Sequence, residues 1–111
     1  MYSPPKYTIT GYKSGLGKYL YHALRGQAEG IGRNDKLNTR SYIIIHCAPE
    51  NALESEKLLL DKLLSIPHEK FIFISTVDVY RENPTDYAKS KLLQENLVKQ
   101  FAKKPVILRC S

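Results

Sequence analysis

Short apolar runs and longer helical stretches alternate along this chain. Lys6–Thr10, Ser41–Cys47, Phe71–Ser75 and Pro105–Arg109 are runs of strand length, and the near-continuous apolar character of Tyr42-Ile-Ile-Ile45 marks a strand buried on both faces. Glu29-Gly-Ile-Gly-Arg33 is a poorer strand by propensity, because glycine is depleted in strands. Between them the spacing turns helical. Leu16, Leu20, Ala23 and Leu24 fall on one face of a first helix, with Gly26 and Gly30 bracketing its end. From Glu50 to Ile66 runs the strongest helical pattern, in which Leu53, Leu60 and Leu64, flanked by Leu59 and Leu63, form a stripe that Pro67 stops. A third helix is predicted from Tyr87 to about Lys103, entered at Pro84-Thr-Asp86 with Asp86 as its cap, burying Leu92, Leu93, Leu97, Val98 and Phe101.

The resulting order, β-α-β-β-α-β-α-β, predicts one α/β domain over residues 1–111, a three-layer fold around a mainly parallel sheet of about five strands. The usual doubly wound arrangement gives the strand order 3-2-1-4-5, with a ligand crevice between the first and fourth strands. The segment Asp35–Arg40 is too short for the helix that a parallel crossover normally contains, so a shortened connection is expected there.

Composition narrows the function. At 111 residues, 42% hydrophobic and 25% charged, the chain can build one modest core. It has no apolar run of the roughly 20 residues needed for a membrane span. The start, Met1-Tyr-Ser-Pro-Pro-Lys, lacks the apolar core of a signal peptide, which makes a cytoplasmic location the expectation. Cys47 and Cys110 have no metal-ligand spacing and sit at ends of β-like runs, where small, buried, reduced thiols are expected and no metal site. The net charge of +6 is spread over helices and loops without aromatic interleaving. It therefore argues for a surface that attracts an anionic small molecule rather than nucleic acid.

Two groups of residues carry chemistry. Thr10-Gly-Tyr-Lys-Ser-Gly-Leu-Gly17 lies between a strand and a helix, where glycines permit positive φ and let a diphosphate approach the helix N terminus. Taken alone, this turn fits a cofactor cradle or a simple reversal of the chain. About 20 residues on, Arg33, Asn34 and Asp35 occupy the place where an acidic group would bond a ribose and an arginine would accept a 2′-phosphate. NAD and NADP both stay open. Tyr87-Ala-Lys-Ser-Lys91 puts a phenol and an ammonium one helical turn apart, an arrangement that lowers the phenol pKa and suits proton transfer near neutrality. Thr76, at the end of the preceding strand, is placed to hydrogen-bond the same substrate oxygen.

In this order the motifs resemble the short-chain dehydrogenase/reductase superfamily, and within it the extended branch of NAD-dependent epimerases and dehydratases of nucleotide sugars. The likeness is carried by Phe71-Ile-Phe-Ile-Ser-Thr-Val-Asp-Val-Tyr80, Tyr87-Ala-Lys-Ser-Lys-Leu-Leu-Gln-Glu95 and Val106-Ile-Leu-Arg109. Ile44-Ile-His-Cys-Ala48 is similar to the family's third strand and the cofactor-contacting turn after it. The resemblance implies a Rossmann-type fold, here incomplete, and NAD or NADP as cofactor. Gly11, Ser14, Gly15, Leu16 and Gly17 would cradle the diphosphate, and Arg33 and Asn34 would lie by the adenosine ribose. Cys47 and Ala48 would line the adenosine side. Tyr87 would be the acid/base, Lys91 would also bond the nicotinamide ribose, and Thr76 would complete the triad, with Ser75 as the less favoured choice.

The sequence also departs from that family. Its glycine spacing matches the single-domain branch, with Ser14 where the extended branch has glycine, and Arg81 follows Tyr80 where a glycine is expected. No asparagine matches the additional catalytic position. The chain reaches Ser111 before the family's further strands and substrate-binding part. These departures support a second reading, a non-catalytic dinucleotide-binding or protein-interaction module. A fifth strand at the sheet edge would then expose apolar surface that invites a second copy or a partner chain.

Overall fold

The computed structural model describes residues 6–13, 15–32, 41–47, 53–76 and 85–110, with the backbone alone for residues 53–58, 76 and 87. The apolar runs become β1 (Tyr7–Thr10), β2 (Ala28–Ile31), β3 (Ile43–His46), β4 (Lys70–Thr76) and β5 (Pro105–Cys110). The helices are α1 (Gly15–Ala23), α2 (Leu53–Ser65) and α3 (Asp86–Phe101). The five strands form one sheet in the order β2-β1-β3-β4-β5, and all four pairings are parallel.

This order corrects the expected 3-2-1-4-5. β3 lies directly against β1, pairing Tyr7 with Ile43 and Thr10 with His46, so the crevice beside β1 is bounded by β3 and not by β4. Deleting the outermost strand from the 3-2-1-4-5-6 sheet and renumbering gives the order seen here, which is also the other common doubly wound order. The length of the connection permits this order. Residues 32–42 must carry the chain from the top of β2 to the foot of β3. At ~3.3 Å per residue a segment of this length can reach across two strand spacings of ~4.8 Å and back along one short strand.

Alternation along the strands assigns the layers. Ile44, Phe71 and Phe73 point to one face, where they pack with Leu59, Leu60, Leu63 and Ile66 at α2 and with Val98 of α3. Gly30 of β2 points to the other face, toward the Tyr12 ring, which in turn lies 5.2 Å from the ring of Tyr21 on α1. The domain therefore has helix, sheet and helix layers. Ile9 and Ile31 are buried, whereas Leu108 on β5 is exposed.

Two helices are turned differently from their leucine patterns. On α1 the buried residue is Gly17; Leu16 and Ala23 face solvent, and Leu20 and Leu24 are half-buried. On α3 the buried positions are Ala88, Lys91, Gln94, Glu95 and Val98, while Leu93 and Phe101 are 66% and 60% exposed and Leu92 also faces out. Glu95 and Lys91 bind groups at the top of the sheet, and that outweighs the burial of two leucines. Thr85 caps the helix in place of Asp86: its extended backbone lets Oγ1 accept from the Ala88 N–H at 3.1 Å. Asp86 sits in the first turn, where its charge complements the helix dipole.

These burial assignments separate two substitutions of the same chemistry. Leu63→Ala, in the core, is expected to lower the unfolding free energy by about 2–5 kcal/mol. Leu93→Ala, on the outer face of α3, is expected to change it by no more than about 0.5 kcal/mol. Urea titrations at constant m-value check both.

Candidate functional site

β1 leads into a turn whose geometry only glycine allows. Gly11 has φ +65°, and a Cβ on it would overlap the carbonyl oxygen of Cys47. A Cβ on Gly17 would overlap the carbonyl oxygen of Gly11, so this glycine lets α1 press against the end of β1. Gly15 also has positive φ, +58°, but among the described residues nothing lies within 4 Å of where its side chain would be. The turn is thus tightly packed on its inner side and open above Gly15, where α1 begins. No acidic residue stands in the first turn of α1, so no carboxylate there offsets the positive end of the helix dipole. An anionic group such as a diphosphate fits there.

Next to the turn, hydroxyl groups join β1 to β3. Thr10 Oγ1 accepts from the Cys47 N–H at 3.0 Å and lies 2.6 Å from His46 Nδ1. One strand step lower, Thr8 Oγ1 and Ser41 Oγ are 2.7 Å apart. Both threonines are buried, and each hydroxyl is satisfied across the seam. His46 is itself fully buried, and its Nε2 has no hydrogen-bond partner among the described residues. Burial, and then the positive charge of Lys91, push its pKa from 6.5 to about 3, so the ring is neutral.

Lys91 comes to the same place from α3. It is buried, with Nζ 5.0 Å from the centre of the Phe73 ring, and His46 packs on that ring with centroids 5.7 Å apart. A cation over an aromatic face is favourable and more so when desolvated. Cys47 is half-buried, and burial raises its thiol from 9.0 to about 11; the Lys91 charge opposes this and Cys110 adds to it. The thiol is therefore a poorer nucleophile at neutral pH than a free cysteine. Cys110, expected to be buried, is exposed at the end of β5, the sheet edge.

A third cluster lies beneath the end of β4. Glu95 is wholly buried; its Oε2 accepts from Ser75 Oγ at 2.6 Å, and Arg109 Nη2 donates to Oε1 at 2.6 Å with Nε 3.2 Å from both oxygens. Burial raises the Glu95 pKa, but the hydrogen bonds from Arg109 and Ser75 and the charge of Arg109 outweigh it. The carboxyl is held below its ordinary 4.5.

The structure brings Gly11, Gly15, Leu16, Gly17, Cys47 and Lys91 to the C-terminal end of the sheet or the turn above β1. Thr76 is the last residue of β4, in register with Cys110, and Tyr87 stands one turn before Lys91 in α3. Their side chains, and Ser14, Arg33, Asn34, Asp35 and Ala48 entirely, lie outside the described residues. Ser75 has its hydroxyl committed to Glu95. Sequence reasoning gave no role to His46, Glu95 or Arg109. The signal available for Glu95 was its place one turn after Lys91 on the same face of a helix. Among the described residues no group of three His, Cys, Asp or Glu could hold a metal ion, and no helix is long and apolar enough to cross a membrane.

No protein-family model matches the sequence, and neither does any curated relative. Among solved structures, the chain is similar to the crystal structure of UDP-glucuronic acid 4-epimerase from Bacillus cereus in complex with NAD, with a TM-score of 0.65 and 23% identity. The match covers 93% of this chain and 54% of that one, so the chain spans about half the length of that structure. The likeness bears out the Rossmann-like α/β fold.

Buried His46 makes stability depend on pH in a definite direction. Unfolding returns the ring to 6.5, so between pH 6.5 and about 3 the unfolded chain binds a proton that the folded chain excludes. The stabilisation is complete above 6.5 and is lost as pH falls toward 3. Glu95 adds a loss of the same sign below its ordinary 4.5. Between pH 7 and pH 5 the unfolding free energy should drop by about 2 kcal/mol on account of His46. His46→Asn should flatten that interval in urea titrations repeated across pH, and Glu95→Gln should leave it in place.

Proposed function

We propose that this chain is the NAD(P)-binding portion of an oxidoreductase of the epimerase or dehydratase type, acting in the cytoplasm on a sugar linked to a nucleotide. The observation that carries the reading is the glycine turn: open at Gly15 among the described residues, and locked to Cys47 and α1 by Gly11 and Gly17. The second support is the fold of a neighbour whose crystal structure holds NAD and whose name gives a UDP-linked sugar acid as substrate.

In this reading Gly11, Ser14, Gly15, Leu16 and Gly17 receive the diphosphate, and Cys47 and Ala48 border the adenosine side. Arg33 and Asn34 stand by the ribose and leave NAD and NADP open. Lys91, fixed by burial beside Phe73, bonds the nicotinamide ribose and keeps a positive charge one turn from Tyr87. That charge favours the phenolate, so Tyr87 can take a proton from a substrate hydroxyl or return one near neutral pH. Thr76 orients the same hydroxyl from the end of β4. When bound, the nicotinamide supplies the hydride-transfer chemistry. Neutral His46 adds no second positive charge beside Lys91.

Calorimetric titration with NAD⁺, NADH, NADP⁺ and NADPH tests the binding half, with at least one expected to bind in the micromolar range. Gly17→Ala should abolish that binding, because its Cβ meets the Gly11 carbonyl. A chain that binds none of the four is not a dinucleotide-binding domain. Tyr87→Phe should leave binding nearly intact and lower any turnover of a UDP-sugar by about 100-fold or more. Equal loss of binding and turnover would make Tyr87 a structural residue.

A further inference from the structure

We infer that Ser75 and Glu95 are positioning residues: their hydrogen bond, backed by Arg109, sets the register of α3 on the sheet and thereby places Lys91 and Thr76 for the nicotinamide half of the cofactor. The inference rests on the reading proposed above. It begins with the inner face of α3, where, among the described side chains, the fully buried ones are apolar Ala88 and Val98 and polar Lys91, Gln94 and Glu95. Val98 and half-buried Leu97 pack on the core, but apolar burial is non-directional and does not by itself fix the register of the helix. Directional bonds supply the register.

The described bonds that do so converge on one carboxylate. Glu95 takes Ser75 Oγ on Oε2 at 2.6 Å and Arg109 Nη2 on Oε1 at 2.6 Å, so α3, β4 and β5 meet at one group. Such charge-assisted bonds are short and roughly twice as strong as neutral ones, and their geometry is narrow. Ser75 immediately precedes Thr76, and Glu95 lies one helical turn beyond Lys91. A shift of α3 along the sheet that broke Ser75–Glu95 would move Lys91 relative to Thr76 by the same amount. The glycine turn lies two strands away, beyond β3, and is untouched by that shift.

The two halves of the cofactor therefore report differently on the clamp. Ser75→Ala removes only the hydroxyl and leaves Glu95 paired with Arg109; Glu95→Gln keeps the shape and removes the charge. Each variant, folded by circular dichroism and melting temperature, is titrated with the tighter-binding of NADH and NADPH, and separately with ADP. Dinucleotide affinity should fall about 10-fold or more while ADP affinity stays within about twofold, the scale of losing one hydrogen bond to a charged group. Ser75→Thr, which keeps a hydroxyl, should retain the wild-type dinucleotide affinity. Equal weakening of both ligands, or no change in either, overturns the clamp while leaving the proposed function standing. Wild-type protein that binds neither ligand overturns the proposed function, and the clamp falls with it.

Discussion

The seam between β1 and β3 holds this molecule together as a functional unit. It is the one strand pairing that joins β1, α1 and β2 to the rest of the sheet. Four residue pairs form its ladder, and the Thr8, Thr10, Ser41 and His46 side chains hydrogen-bond across it. Hydroxyls buried in a parallel sheet would be costly without partners. Here the partners are His46 on the opposite strand and Ser41 just before it, so the polar groups favour this pairing and register. Gly11 extends the seam by one residue, since its missing Cβ admits the Cys47 carbonyl.

Charge placement on the far side of β3 follows from that arrangement. His46 is tied to Thr10 on one side and packs on Phe73 on the other, and Lys91 covers the same ring from α3. A buried lysine beside a second cation would be strongly disfavoured. The neutrality of His46 removes that conflict, and the aromatic face between the two rewards the ammonium. Glu95 is held apart from this pair by its own partners, Ser75 and Arg109. Charged groups are buried at the top of α3, yet each sits in a surround that suits its ionisation.

Much of this was legible in the residues. Apolar runs at 43–46, 71–75 and 105–109, the glycine turn and the leucine-rich helix before Pro67 placed all eight elements within a few residues. Strand order was not legible, because it depends on the path of residues 32–42, and a shortened crossover is compatible with either side of β1. The inner face of α3 was misread for a related reason. Leu92, Leu93 and Phe101 make a convincing apolar stripe, but the partners of Lys91 and Glu95 lie on β4 and β5, and only the assembled sheet brings Phe73, Ser75 and Arg109 together. In the glycine turn, sequence showed three glycines without showing their different tasks. Gly11 and Gly17 admit close backbone contact, whereas Gly15 serves a left-handed backbone conformation.

The two cysteines differ in a way that has a practical side. Cys47 is half-buried with its thiol held near 11, whereas Cys110 is exposed and closes β5 in register with Thr76. At neutral pH a thiol-directed fluorophore or spin label would therefore couple to the native protein at Cys110, without removal of the other cysteine. The label would sit beside the ends of β4 and α3, at the C-terminal rim of the sheet. The wild-type chain thus carries a single addressable reporter at the end of the fold where its chemistry is concentrated.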